Sequence, residues 1–207
     1  MFLAEYAGPI LITLILLLFR KKIYSTDLPL SFRQKLGLAM VLGHYGKREL
    51  ETLFVHRFSA ETMPMGNLFK NCFHYWLIFG ICNMYWFLKP SEEESRTKDI
   101  VCACFFAVFE FLNFQCHKVL RDLRPPGSTT RGIPKGWGFD WVSNANYLWE
   151  ACAWTSFAVL AKIWGAWLFL AVSFTQMLLW ALKKHKRYRQ EFPDYPKRRK
   201  AMVPFII

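Results

Sequence analysis

The stretch IWGAWLFLAVSFTQMLLWAL, residues 163–182, runs for twenty positions without a charge. A helix needs roughly 17–25 predominantly apolar residues to cross a bilayer core. The run meets that length, and Lys183, Lys184, Lys186 and Arg187 follow it at once. Such a flank is what the enrichment of Lys and Arg on the cytoplasmic side of membrane helices predicts. Two more apolar runs lie upstream. Residues 7–19 contain one hydroxyl and no charge, and residues 100–109 are apolar throughout. These runs predict an all-α protein, a polytopic bundle of about six transmembrane helices rather than two soluble domains.

Composition agrees with that class. Of 207 residues, 54% are hydrophobic and 18% aromatic, and the net charge is +12. The basic residues cluster between and after the apolar runs, without a nucleic-acid recognition motif. They fit a membrane face, or a surface that meets a polyanionic ligand, better than a nucleic-acid partner. The six cysteines (Cys72, Cys82, Cys102, Cys104, Cys116 and Cys152) all lie in or beside apolar segments. That placement fits small hydrophobic side chains rather than a disulfide framework. No His/Cys set has zinc spacing, so no metal is expected. Residues 1–19 lack a basic leading region and carry Glu5, so a cleaved signal is not expected.

Helical segments are placed at about residues 2–19, 32–58, 68–88, 100–123, 146–161 and 163–188. The break between the fourth and fifth holds Pro125, Pro126, Gly127, Gly132, Pro134, Gly136 and Gly138, which end helices. With the basic tail on the cytosolic side, the basic loop at residues 118–141 shares that side. The loop at residues 89–99, with four acids against three bases, lies opposite. The basic connection at residues 20–35 is the one exception to the charge rule.

Polar residues in these apolar helices fall in register. Glu110, Asn113, His117, Arg121 and Arg124 step by 3, 4, 4 and 3, which is a single helical stripe. Asn146 and Glu150 share a face one turn apart, and Trp180, Lys184 and Tyr188 repeat the step with His185 beside them. His44 and Tyr45 sit between Gly43 and Gly46, ahead of Arg48, Glu49, Glu51, His56 and Arg57. Glu5 opens the first span. A packing seam with basic residues reaching the interface accounts for some of this pattern. A polar cavity accounts for more of it, since intramembrane polar residues mark sites by default. In such a cavity Asn and Glu grip a ribose or amide, Arg and Lys take phosphates, and Tyr and Glu lie deeper, at an apolar substrate. No GxGxxG follows a strand, which excludes a Rossmann domain.

Several stretches resemble the very-long-chain trans-2-enoyl-CoA reductases of the steroid 5α-reductase superfamily. They are EYAGP (residues 5–9), HYGKRELETLFVHRFS (44–59), TMPMGNLFKNC (62–72), LRDLRPPGSTTR (120–131), VSNANYLWE and the tail from KKHKRYRQ to VPFI. The resemblance covers essentially the whole chain. It implies one steroid 5α-reductase-like membrane domain over residues 1–207, without the family's N-terminal region and first span. It further implies a multi-pass endoplasmic reticulum protein with a cytosolic C-terminus, acting in lipid metabolism. The activity it implies is the NADPH-dependent reduction of a long-chain trans-2-enoyl-CoA in the last step of the fatty-acid elongation cycle, alongside other elongation-cycle enzymes.

By position, Tyr45 matches the family's catalytic tyrosine and Glu5 its carboxylate partner, expected to orient the Tyr45 hydroxyl by a hydrogen bond. Asn113, Arg124, Asn146, Glu150, His185 and Tyr188 match positions that contact NADPH, and His117, Arg131 and Lys184 match similar ones. The loop at residues 132–141 is shorter than in animal enoyl reductases and closer to the steroid reductases. A 3-oxo-steroid 5α-reductase is therefore a second reading, against which HRFS and TMP speak. A membrane methyltransferase, which needs neither Tyr45 nor Glu5, is a third. A non-catalytic partner of the elongation machinery is a fourth, and it has no need to keep Tyr45, Glu5, Asn146 and Glu150 together.

Overall fold

The computed structural model describes residues 2–57, 65–91, 95–124 and 132–207. Helix α1 is Phe2–Leu18, followed by the short α2, Arg20–Tyr24. Helix α3 is Phe32–Phe54. The next rod is composite: α4, Met65–Cys72, continues into a π-helical segment, Phe73–Asn83, and ends in α5, Met84–Phe87. Helices α6, Arg96–Asp122, α7, Ala145–Ala161, and α8, Trp164–Glu191, complete the bundle. Among the described residues there is no strand, only an isolated bridge between Val142 and Lys200. All six expected segments are present as helical rods.

Among the described residues, two helices, α6 and α8, are long and apolar enough to cross a membrane. Helix α1 is apolar but shorter. Leu11, Leu14, Ile15, Phe105, Val108, Phe111, Val172 and Leu179 are all exposed on these three helices. A water-soluble fold buries such side chains, whereas a lipid-facing one does not.

Local chemistry fixes the helix starts and their mutual positions. Ser31 caps α3 with a reciprocal pair: its Oγ accepts from the Gln34 amide (3.2 Å) and its own amide donates to Gln34 Oε1 (3.1 Å). The Gln34 side-chain nitrogen then donates to the carbonyls of Phe87 and Lys89 at 3.0 and 2.8 Å, tying α3 to the end of α5. Arg33 pairs with Asp99 (3.1 Å), tying the same turn to α6. Lys162 takes a left-handed conformation (φ 54°) that ends α7 and lets α8 turn back against it.

The core is aromatic and centred on Trp154, whose ring lies 4.9 Å from Phe79, 5.0 Å from Phe169 and 5.8 Å from Tyr45. Contacts of this kind favour edge and tilted geometries over flat stacks. Helix α1 meets the π-helical segment at Gly8, where an added Cβ would lie 2.1 Å from the Trp76 ring. The tail folds back and is clamped. Ser143 donates to the Lys200 carbonyl (2.8 Å), Asn144 donates to the carbonyls of Ala181 and Ala201, and Arg199 donates to the Pro134 carbonyl (2.9 Å).

The sequence pattern over residues 68–88, the third expected rod, predicts one continuous helix. Its middle is π-helical, a form that is rare and concentrates at functional sites. Apolar composition does not separate the two, because the difference lies in the backbone hydrogen-bond step. The second segment was placed to residue 58, and α3 ends at Phe54.

Candidate active site

Two cavities meet inside the bundle. The larger, about 420 Å³, lies between α1, the π-helical segment, α7 and α8. Its walls are mostly apolar and aromatic, with Glu5, Asn71, His74 and Glu150 among them. The smaller, about 270 Å³, is basic: Arg57, Arg121, Arg124 and Lys184 line it, together with His56 and Tyr188. Phe2, Tyr6, Arg48, His117, Asn146 and Tyr147 line both, so the cavities share a wall of side chains.

Behind that junction, α3, α6 and α7 exchange charges. Lys47 Nζ lies 2.9 Å from Glu110 Oε2 and 3.5 Å from Glu51 Oε1, and donates to Asn113 Oδ1 at 2.6 Å. Arg48 Nη1 donates to Glu51 Oε2 at 2.8 Å, and His117 Nδ1 is 2.9 Å from the same oxygen. His44 Nδ1 lies 2.8 Å from Glu110, and His44 Nε2 lies 3.4 Å from Glu150. The Asn113 amide nitrogen bridges onward, donating to the Asn146 carbonyl (2.9 Å) and to Glu150 Oε2 (3.0 Å). Buried charges cost several kcal/mol each unless paired and hydrogen-bonded. Here Lys47 and Arg48 supply the pairing for Glu51 and Glu110. Past the end of α3, burial and the nearby Arg48 charge hold the His56 imidazole down at about 3, so it is neutral at physiological pH.

The structure brings most of the expected residues to the cavities. Glu5 and Glu150 line the larger, Arg124, Lys184 and Tyr188 the smaller, and His117 and Asn146 both. Asn113 sits one layer behind, fully engaged with Lys47, Asn146 and Glu150. His185 lies outside both linings. Its Nδ1 is 2.6 Å from Ser143 Oγ, which also meets the Tyr195 hydroxyl, so it fastens the tail. Tyr195 in turn stacks on Tyr188 at 5.5 Å. Arg131 lies outside the described residues.

One expected contact is not formed. Glu5 Oε1 accepts from the Asn71 side chain (3.2 Å), and the Tyr45 hydroxyl is buried with no hydrogen-bond partner among the described residues. Tyr45 is enclosed by His44, Phe79, Tyr75 and Trp154, which keep it one layer behind the cavity wall. Glu5, on α1, faces α4 instead.

The sequence pattern does not single out Lys47; it places Glu110 in the α6 stripe and Arg48 and Glu51 among the polar residues of the second segment, without a catalytic or cofactor contact for any of the three. The available signal was spacing: Lys47–Glu51 and Arg48–Glu51 are i,i+4 and i,i+3 pairs inside a membrane-length segment. Sequence spacing also gave no metal set, yet the fold brings ligand atoms of Glu51, His56 and His117 within 4.8 Å of one another. Glu51 is already matched there by Lys47, Arg48 and His117.

A reduced dinucleotide phosphate needs donors for its phosphates and polar atoms for its amide and ribose. The smaller cavity supplies the cations, and Asn146 Oδ1 is buried with no hydrogen-bond partner among the described residues. A carbonyl oxygen left unpaired at the cavity junction is positioned to accept from an amide N–H, so the residues fit the group.

The family model described as 3-oxo-5-alpha-steroid 4-dehydrogenase matches residues 61–207. The chain belongs to this family. Among full-length matches, a Schizosaccharomyces pombe protein carrying an enoyl reductase name is 46% identical over 211 residues, covering 100% of this chain and 71% of its own. The very-long-chain enoyl-CoA reductase of Dictyostelium discoideum is 43% identical over 208 residues, covering 100% and 69%. A mouse trans-2,3-enoyl-CoA reductase-like protein is 36% identical over 218 residues, covering 100% and 60%. In this 5α-steroid 4-dehydrogenase family member, the matched region carries α4 to the tail, and hence the π-helical wall, the Asn113–Asn146–Glu150 bridge and Arg121, Arg124 and Lys184 of the basic cavity.

Proposed function

We propose that the chain is an NADPH-dependent trans-2-enoyl-CoA reductase, performing the last reduction of the very-long-chain fatty-acid elongation cycle. It acts as a single six-span membrane domain in the endoplasmic reticulum, with the C-terminus cytosolic and other elongation enzymes nearby. The observation that carries the reading is the pair of adjoining cavities, one basic and one apolar, meeting at Asn146 and Arg48. A phosphorylated cofactor and an acyl chain have opposite needs, and each cavity suits one of them. The names of the relatives support the same reaction.

Bound NADPH supplies a hydride to the β-carbon of the enoyl thioester. The chain's residues do the rest. Arg124 and Lys184 hold phosphates, with Arg131 assigned to the same task by resemblance. His117 and Tyr188 flank the ribose region, and Asn146 and Glu150 orient the amide end. Asn113 and His185 act through neighbours, the first by fixing Asn146 and Glu150, the second by fixing the Ser143–Tyr195 clamp. Tyr45 is assigned by resemblance to polarise the thioester carbonyl, which requires the aromatic side chains that cover it to part as substrate enters: a buried hydroxyl left unpaired costs about 1–3 kcal/mol, a penalty that a substrate oxygen accepting its hydrogen bond relieves. Glu5 sits at the mouth of the acyl cavity and orients the tyrosine region once substrate displaces Asn71.

The test is NADPH consumption by membranes containing the chain, offered trans-2-hexadecenoyl-CoA or progesterone, with Tyr45→Phe as control. Tyr45-dependent consumption with the enoyl-CoA alone is expected. Consumption with progesterone alone would place the chain on the steroid side of its family.

A further inference from the structure

We propose that Tyr6 is the proton donor to the α-carbon of the substrate, a role distinct from the carbonyl polarisation assigned to Tyr45. This inference rests on the reductase reading above. Three tyrosines cluster at the junction, with ring centroids 6.4 Å apart for Tyr6–Tyr45, 5.5 Å for Tyr6–Tyr75 and 6.1 Å for Tyr45–Tyr75. Their surroundings differ. Tyr45 is fully buried and lines neither cavity, and Tyr75 lines only the larger. Tyr6 lines both, so its side chain stands where a cofactor held in the basic cavity would face a substrate held in the apolar one.

Tyr6 also has a cation at its oxygen. Arg48 Nη2 donates to Tyr6 Oη at 2.7 Å, and the guanidinium carbon lies 5.0 Å from the ring centroid. In that bond the hydroxyl is the acceptor, so its own hydrogen remains to be donated. Arg48 is fixed from behind by Glu51 Oε2 at 2.8 Å and by His117 Nδ1 at 3.3 Å. The fixed guanidinium stands beside the oxygen on which negative charge develops as the hydroxyl gives up its proton.

The step balances. The hydride brings two electrons and one hydrogen from the reduced nicotinamide to the β-carbon. The C=C π pair moves through the α-carbon onto the thioester oxygen, held by Tyr45. When the pair returns, the Tyr6 O–H bond breaks, a C–H bond forms at the α-carbon, and a phenolate remains beside Arg48. Solvent reprotonates that phenolate through the basic cavity after product leaves.

The experiment is a single turnover of the detergent-purified full chain with NADPH and trans-2-hexadecenoyl-CoA in D2O. Rate and deuterium placement at the α-carbon are read, alongside NADPH binding by fluorescence. The unmodified chain is expected to place deuterium on one face. Tyr6→Phe should bind NADPH within twofold of the parent, slow reduction by about 10²-fold or more, and scatter deuterium over both faces. A Tyr6→Phe chain that keeps its rate within threefold and its single face overturns the proposal. Should Tyr6→Phe fail to bind NADPH, 3-fluorotyrosine placed at position 6 decides instead. It makes the phenol a stronger acid at nearly the same size, so the rate of reduction and its solvent deuterium isotope effect should both change, and both unchanged refutes the role. An unmodified chain that reduces no enoyl thioester removes the reductase reading, and the Tyr6 role with it. Normal reduction by both chains removes the Tyr6 role alone.

Discussion

Replacing Lys47 by Met tests whether the charge lattice behind the cavities is structural. The change removes the ammonium that sits 2.9 Å from Glu110 and 3.5 Å from Glu51, and the donor to Asn113. Deleting one partner of a buried ion pair typically costs about 3–5 kcal/mol, because the other charge stays buried. Glu110 keeps His44 at 2.8 Å, and Glu51 keeps Arg48 and His117. The loss therefore belongs at the lower end, about 3 kcal/mol. For a chain of this size each kcal/mol shifts the melting midpoint by roughly 2–4 °C, so a fall of about 6–12 °C is expected. Thermal unfolding in detergent, followed by tryptophan fluorescence, measures it. Adding Glu110→Gln to Lys47→Met should recover part of the loss, since the orphaned carboxylate is then neutral. NADPH binding should weaken as well, because Asn113 loses the contact that fixes its oxygen. A single variant as stable as the parent, or a double variant less stable than the single, would refute the reasoning.

Arg124→Ala should raise the dissociation constant for NADPH more than that for NADH, because a cation in the basic cavity discriminates through the extra phosphate; titration with both nucleotides measures the ratio, and equal losses would move that phosphate elsewhere. Gly8→Leu places carbon atoms where the Trp76 ring now lies, 2.1 Å from an added Cβ. Overpacking of this kind costs about 1–3 kcal/mol, so the melting midpoint should fall and the larger cavity distort, seen as weaker substrate binding with NADPH binding nearly kept. His56 is held at about 3 when folded, against 6.5 for the free group. Protonation thus favours unfolding, so its stabilisation is full above about pH 6.5 and fades as pH falls towards 3. His56→Gln should flatten the acid side of the stability profile, and an unchanged slope would show that other groups set it.

The fold was legible where apolar length and periodicity decide it. The uncharged run of α8 and the single stripe Glu110–Asn113–His117 required no tertiary knowledge, because 3.6-residue periodicity places them on one face of α6. Asn146 and Glu150 share a face of α7 for the same reason; Glu150 meets Asn113 with its side chain and Asn146 with its backbone carbonyl, which leaves the Asn146 amide oxygen at the cavity junction. What stayed hidden depended on which faces of different helices meet. Lys47 and Arg48 lie on a polar α3 whose orientation is set by Gln34, Arg33 and the caps at its start. The sequence alone does not order those faces. Glu5 and Tyr45 were linked through resemblance, and the Asn71 contact could not be seen because α4 is distant in sequence. His185 shares a turn with Lys184, yet the returning tail claims it through Ser143. The π-helical middle of the third rod was hidden because its residues are ordinary apolar ones.

The most direct measurement follows the hydrogen itself. The purified chain is given NADPH carrying deuterium at both nicotinamide C4 positions and trans-2-hexadecenoyl-CoA, and the acyl product is analysed by mass spectrometry. A saturated hexadecanoyl-CoA with one deuterium at the β-carbon, absent with Tyr45→Phe, is the predicted result. Unchanged enoyl-CoA, or a saturated product without deuterium, would contradict it.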